Sequence, residues 1–237
     1  LPVDTFGYFN WQHIETDELP VPIYHRLYLS PDGKLGYSFP ASQTDYLSLA
    51  NNYTNSNYTF DSAYYDGFKG ARFNDALEKQ TLAFETTPLN RDVKMFGAPR
   101  IKFFVTSNSN KLPINVQIYE ADSLNNKYFV NRINYVSRST DPLDATTVET
   151  DGYFHAHKFQ KGNKIRVEIT NIDVSNRKTS PDIPFVIPVF ENSQTRVFTN
   201  SNLASYIELP LLNADQVTRV AEPIAERIIL LQNHPNP

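Results

Sequence analysis

The residues of this chain whose types and spacing could do chemistry are few: five histidines, a scatter of loop aspartates and one serine two residues after a glycine. His155-Ala156-His157 has ligand-like spacing, because residues two apart on a strand share a face and a third ligand could close a metal site there. Two imidazoles facing solvent on the polar side of an amphipathic strand need no metal, and that is the reading adopted. Asp61, Asp66, Asp141 and Asp144 offer oxygen ligands of the kind calcium takes, but they follow no EF-hand-like spacing and read as solvated loop acids. Gly36-Tyr37-Ser38-Phe39-Pro40 has the first half of a nucleophile elbow, yet it ends in proline where a small residue is needed and lies outside any strand-to-helix setting. Neither Gly-rich phosphate-loop pattern occurs, and the absence of cysteine removes thiol nucleophiles, thiolate-held zinc and iron–sulfur clusters together. The expectation is no catalytic residue, no metal and no cofactor within this chain.

Binding residues are easier to nominate. Asn51 to Tyr65 is rich in Asn, Tyr, Thr and Ser, a polar surface loop whose composition also suits a sugar site, with Tyr46, Tyr53, Tyr58, Tyr64 and Tyr65 as its aromatic platform. Two N-glycosylation sequons, Asn52-Tyr53-Thr54 and Asn57-Tyr58-Thr59, fall in the same loop and are short enough to arise by chance. The lone Trp11 reads as an interface or packing residue, since one indole without companions makes no platform. A net charge of −4 gives no positive field to condense on phosphates, so nucleic acid is not an expected partner. No stretch approaches the roughly 18 consecutive apolar residues of a membrane span.

The elements that must position these residues have a period of two. Lys164 to Thr170 alternates charged or polar with β-branched residues, the pattern of a half-buried strand with one wet face. Ile101, Phe103 and Val105 share one face, Ile114, Val116 and Ile118 another, Ile207 and Leu209 a third; Leu82 with Phe84, and Phe129 through Val136, add two more runs. Pro31-Asp32-Gly33 and Lys161-Gly162-Asn163 supply the fixed and positive φ angles of tight turns, and hairpins are expected at both. Helix is scarce, with one short helix expected near Ala71 to Gln80 and another from Ala221 to Gln232. The organisation expected is a lead-in over 1–30, a β domain over 31–212 and a tail over 213–237. The chain starts without Met and reads as a segment of something longer.

Several ordered motifs resemble one family. Trp11, then Leu19-Pro20-Val21-Pro22, then Tyr28 through Leu35 are similar to the opening of the C-terminal jelly-roll domain of the Xaa-Pro dipeptidyl-peptidase and cocaine esterase (CocE/NonD) hydrolases. Leu82 through Leu89 with Asp92-Val93 and Gly97-Ala98-Pro99, and then Phe159 through Thr170, continue the resemblance, which spans about Phe9 to Leu212. Where the family often has His after the glycine of that last segment, this chain has Asn163, which keeps a turn-compatible residue. The resemblance implies an all-β fold: an antiparallel β-sandwich, a jelly roll of the galactose-binding-like kind, with few short helices. It also implies that Ser, Asp and His of a catalytic triad lie in an upstream α/β-hydrolase domain of the same polypeptide, and that no position here matches them.

The tail carries a second resemblance. Ile229 through Pro237, with Gln232-Asn233 and Pro235-Asn236-Pro237, resembles the start of the C-terminal sorting domain of the Bacteroidetes Por (type IX) secretion system, which implies secretion or display at the cell surface. The leading reading is thus the non-catalytic β-sandwich domain of a secreted serine hydrolase acting on a peptide, ester or amide bond, with Trp11 as the domain-interface candidate. The alternative is a carbohydrate-binding module using the five tyrosines.

Overall fold

The computed structural model describes residues 21–53, 77–173, 189 and 191–212. Among them are fourteen strands and no helix. They are, in chain order, β1 (Ile23–Leu29), β2 (Leu35–Gly36), β3 (Tyr46–Tyr53), β4 (Leu77–Glu78), β5 (Thr81–Glu85), β6 (Val93–Gly97) and β7 (Arg100–Ser107), then β8 (Leu112–Ala121), β9 (Lys127–Ser137), β10 (Thr146–Asp151), β11 (His155–Phe159), β12 (Lys164–Thr170), β13 (Ser193–Phe198) and β14 (Tyr206–Leu212). A ten-stranded sheet runs β11-β6-β14-β7-β13-β3-β4, with β1 beside β14, β2 beside β1 and β10 beside β7; a four-stranded sheet runs β5-β12-β8-β9. Every ladder between named strands is antiparallel, so the chain forms the expected antiparallel β-sandwich.

The period-two stripes become the two inner faces. Ile101, Phe103 and Val105 of β7 and Ile207 and Leu209 of β14 meet Ile114, Val116 and Ile118 of β8 and Val167 and Ile169 of β12 in one core, all essentially inaccessible. Burying a large aliphatic or aromatic side chain contributes about 1.5–3 kcal/mol, so these stripes select the pairing register: a one-residue slip would turn each of them to solvent. Ile23–Leu29, which falls within the expected lead-in, pairs with β14 from Ile23↔Leu211 to Tyr28↔Tyr206 and is part of the larger sheet.

Three expectations need correction. The helix expected near Ala71 to Gln80 is not found where the chain is described: Leu77 and Glu78 form β4, paired to β3, and 71–76 lie outside the described residues, as does 221–232. Of the two expected hairpins only Pro31-Asp32-Gly33 makes one, joining the paired strands β1 and β2, with Gly33 at φ +77° donating its N–H to Ser30 O. Lys161-Gly162-Asn163 is a tight turn but not a hairpin: β11 pairs with β6 in the larger sheet and β12 with β5 and β8 in the smaller, so the turn arches between sheets. Finally, the polar face of β12 is only partly wet: Lys164 and Arg166 at its start are half-buried. Glu168 and Thr170 are buried, and Glu168 accepts hydrogen bonds from Lys127 Nζ at 2.8 Å and Arg166 Nε at 2.7 Å. Burial opposes ionisation of Glu168, yet these two cations outweigh it and hold its pKa below the usual carboxylate value.

Candidate functional site

A cleft of about 870 Å³ opens where β1 and β2 meet the start of β6, a size within the ordinary range of ligand and peptide sites. Its apolar wall comes from inward residues of β1, β14 and β12, among them Leu27, Leu29, Leu211 and Ile165, and its rim carries Tyr28, Tyr37 and Phe39. Tyr37 and Phe39 are 67% and 56% exposed, while Phe39 meets the Tyr28 ring edge-on at 5.2 Å and Tyr37 meets His25 at 6.3 Å. Two polar atoms among the lining residues, Thr199 Oγ1 and His25 Nε2, are buried without a hydrogen-bond partner among the described residues. Such orphans cost roughly 1–3 kcal/mol each and mark a place where a partner group is wanted.

Both flanks of the cleft are fastened. The 37–45 flank is tied by Ser201 N–H to Ser42 O at 2.7 Å and by Thr199 N–H and Asn200 Nδ2 to Asp45 O at 3.0 and 3.1 Å. The 86–93 flank is tied to the arch between the sheets: Leu89 N–H donates to Asn163 O and Gly162 N–H to Leu89 O, each at 2.8 Å, and Lys161 N–H donates to Asp92 Oδ1 at 2.8 Å. The β1–β2 turn closes the base, since Gly33 O accepts from Glu85 N–H at 2.9 Å and a Cβ on Gly33 would stand 3.2 Å from Ala83 O.

The arch is held in turn by a buried carboxylate that the sequence reading did not single out. Glu120 is 4% exposed; Oε1 accepts from Gln160 N–H and Asn163 Nδ2, both at 2.7 Å, and Oε2 lies 2.8 Å from His157 Nε2. Burial opposes its charge, but hydrogen bonds from His157, Gln160 and Asn163 prevail and hold its pKa below the ordinary 4.5. Asn163 is therefore more than a turn residue: its amide supplies one of those donors. The signal was present, because Glu120 continues the stripe Leu112, Ile114, Val116, Ile118 and so is a carboxylate placed on an apolar face.

His155 and His157 do share a face, at 6.3 Å between stacked rings, but it is the inner one. They stand opposite Gly97 and Met95, on the same side as the inaccessible Phe159, so the expectation of two solvent-facing imidazoles is overturned. Parity gives the reason: 155, 157 and 159 point one way, and Phe159 fixes that way as inward. Burial, and next the neighbouring His157, lower the pKa of His155 below the usual value. Among the described residues no group of three or more His, Asp or Glu side chains is placed to hold a metal. Asp141 and Asp144 are exposed and span one turn, with Asp144 N–H donating to Asp141 O at 3.3 Å; Asp61 and Asp66 lie outside the described residues.

Two of the five tyrosines fall among the described residues. Tyr46 and Tyr53 sit seven residues apart on β3, hence on opposite faces and roughly 24 Å apart. The ring of Tyr46 is covered by the Arg196 guanidinium at 4.8 Å, leaving less of it for stacking. Trp11, Tyr58, Tyr64 and Tyr65 lie outside the described residues.

The described residues thus form an antiparallel sandwich in two sheets with a cleft whose flanks are tied by backbone hydrogen bonds. The chain belongs to the family described as the X-Pro dipeptidyl-peptidase C-terminal non-catalytic domain, which matches residues 7–186. No curated protein matches its sequence significantly. Among solved structures it is similar to an aminopeptidase from the marine sediment archaeon Thaumarchaeota archaeon, with 16% identity and a TM-score of 0.59 over 84% of this chain and 38% of that one. An α-amino acid ester hydrolase gives 18% and 0.56 over 79% and 36%. A CocE/NonD family hydrolase from Staphylococcus aureus gives 12% and 0.61 over 85% and 39%. The chain thus spans under two fifths of each of these three hydrolases. This is the family that the sequence motifs suggested, and the carbohydrate-binding alternative is not favoured.

Proposed function

We propose that this domain packs against a preceding α/β-hydrolase domain of the same polypeptide and shapes the mouth of its active site, in an enzyme that cleaves an Xaa-Pro peptide, ester or amide bond through a serine nucleophile. The observation that carries the reading is the family match over 7–186, taken with the small share of the matched hydrolases that this chain covers. Specificity then belongs to pockets outside this chain. The test is to treat the full polypeptide with a fluorophosphonate probe and map the labelled serine, alongside hydrolysis of Xaa-Pro anilides and of acyl esters. The expected label falls upstream of Leu1, and deletion of this domain should lower turnover more than labelling. A label within 1–237, or no label at all, would sink the reading.

Secretion belongs to the same proposal and rests on the resemblance of 229–237 to a sorting-domain start. Fractionation of the source cells with an antibody to this domain should find it in the medium or on the cell surface, and removal of 213–237 should keep it from reaching either.

A further inference from the structure

We propose that the cleft beside β1 and β2 is the seat of the preceding catalytic domain, which inserts an apolar peptide segment between Tyr37 and Phe39 on one flank and Leu89 on the other. This rests on the reading above and assigns its contact face. Three apolar or aromatic surfaces compete for that role, and the structure separates them.

The outer face of the larger sheet carries Tyr24, Tyr46 and Tyr206, but each ring is already covered by an arginine: Arg100 at 4.0 Å, Arg196 at 4.8 Å and Arg26 at 4.0 Å. Those rings are satisfied within the domain. Tyr153 and Phe154, at 57% and 66% exposure, form a second patch with Phe96, whose ring lies 5.0 Å from that of Phe154. Neither Tyr153 nor Phe154 lines the cleft.

The cleft differs on four counts. It is concave and large enough for several side chains. Its rim holds exposed aromatic side chains of the kind that anchor protein interfaces. Thr199 Oγ1 and His25 Nε2 want hydrogen-bond partners that the amide groups of a peptide segment can supply after a small shift of the lining. Both flanks are pinned by backbone hydrogen bonds, so the seat is preformed and little ordering is lost on docking. In a C-terminal domain the rest of the polypeptide precedes β1, and the inward residue His25 of that strand lines the cleft two positions, roughly 7 Å, from the strand's first residue.

The test uses the lack of cysteine in this chain, so that an introduced thiol reports its own site once the labelled peptide is mapped. Phe39→Cys, Phe154→Cys and Leu124→Cys are made in the full polypeptide, the last in an exposed β8–β9 turn as the free reference, and maleimide labelling of the native proteins is timed. The expected result is that the thiol at 39 reacts roughly 100-fold more slowly than that at 124, independent of protein concentration, while that at 154 reacts freely. Fast reaction at 39 with protection at 154 would overturn the cleft and leave domain packing standing. Fast reaction at all three would overturn the cleft as the contact face. Protection at 39 that appears only at high concentration would point to a second copy as the occupant and also overturn the proposal. Tyr37→Cys repeats the measurement should the Phe39 variant fail to fold.

Discussion

Replacing Glu120 tests whether its hydrogen bonds, and not simple burial, hold the arch between the sheets. Glu120→Ala leaves three donors without their acceptor: His157 Nε2, Gln160 N–H and Asn163 Nδ2, which stood 2.7–2.8 Å from its oxygens. Each bond to a charged acceptor contributes about 1.5–3 kcal/mol, but desolvation of the carboxylate offsets much of the sum, so a net loss of about 3–5 kcal/mol is expected. Glu120→Gln keeps the shape and the acceptor for Gln160 and Asn163, and its amide can donate to His157 once that ring carries its proton on Nδ1; the loss should be only about 1–2 kcal/mol. The pH dependence gives an independent reading. Because the folded pKa of Glu120 lies below 4.5, its ionised form stabilises the fold above the unfolded pKa, and that contribution is lost as pH falls through the folded value. Glu120→Gln should therefore flatten part of the acid limb. Urea unfolding followed by circular dichroism, repeated between pH 7 and pH 3, measures all of this. Equal losses for the Ala and Gln variants, or an acid limb in the Gln variant as steep as in the parent, would refute the reasoning.

Asn163→Asp places a second carboxylate 2.7 Å from Glu120 Oε1; a loss of about 2–3 kcal/mol at pH 7 is expected, partly recovered on acidification as one of the pair takes up a proton, and a loss that grows as pH falls would contradict it. Gly33→Ala should cost about 1–2 kcal/mol, since φ is +77° and the new Cβ meets Ala83 O, against about 1 kcal/mol for Gly162→Ala, where φ is +87° but the space is open; the urea midpoints at constant slope decide the order. Asp173→Ala strips the acceptor from Gln117 Nε2 at 2.6 Å, Asn134 Nδ2 at 2.8 Å and Arg132 Nη1 at 3.3 Å in a fully buried position, and should cost about 3 kcal/mol in the same assay, with Asp173→Asn losing less.

The strands were legible because their apolar residues recur every second position, and a stripe such as Ile101, Phe103, Val105 can be buried in only one way. Partner choice was not, because it depends on contacts far apart in sequence. Glu168 reads as solvent-facing from its own strand, and is buried because Lys127, 41 residues earlier, brings a charge to it. The turn at Gly162 reads as a hairpin locally, and becomes an arch because Met95 and its neighbours claim β11 while Ile118 and its neighbours claim β12. The histidines were misplaced for a different reason: their polarity was weighed above the parity they share with Phe159. Of the cleft, the turn at 31–33 was legible, whereas Tyr37 and Phe39 entered only as parts of an incomplete nucleophile elbow, and that they face 86–93, which leads from β5 into β6, depends on contacts far apart in sequence.

Glu120 has no bond to cleave, yet its position connects the core to the cleft. The carboxylate fixes Gln160 and Asn163; the arch they bound grips Leu89 by two backbone bonds; and Leu89 stands in the flank opposite Tyr37 and Phe39. A buried charge is a poor choice for stability alone, since an apolar residue would fill the place without desolvation cost. What a charge provides is direction: three donors aimed at two oxygens admit one arrangement of the arch, whereas a methyl group admits many. Such fixation of orientation is what the docking proposed above for the cleft requires, more than extra stability. The same logic accounts for asparagine at 163, whose amide can occupy a turn and donate to Glu120 at once while His157 takes the other oxygen.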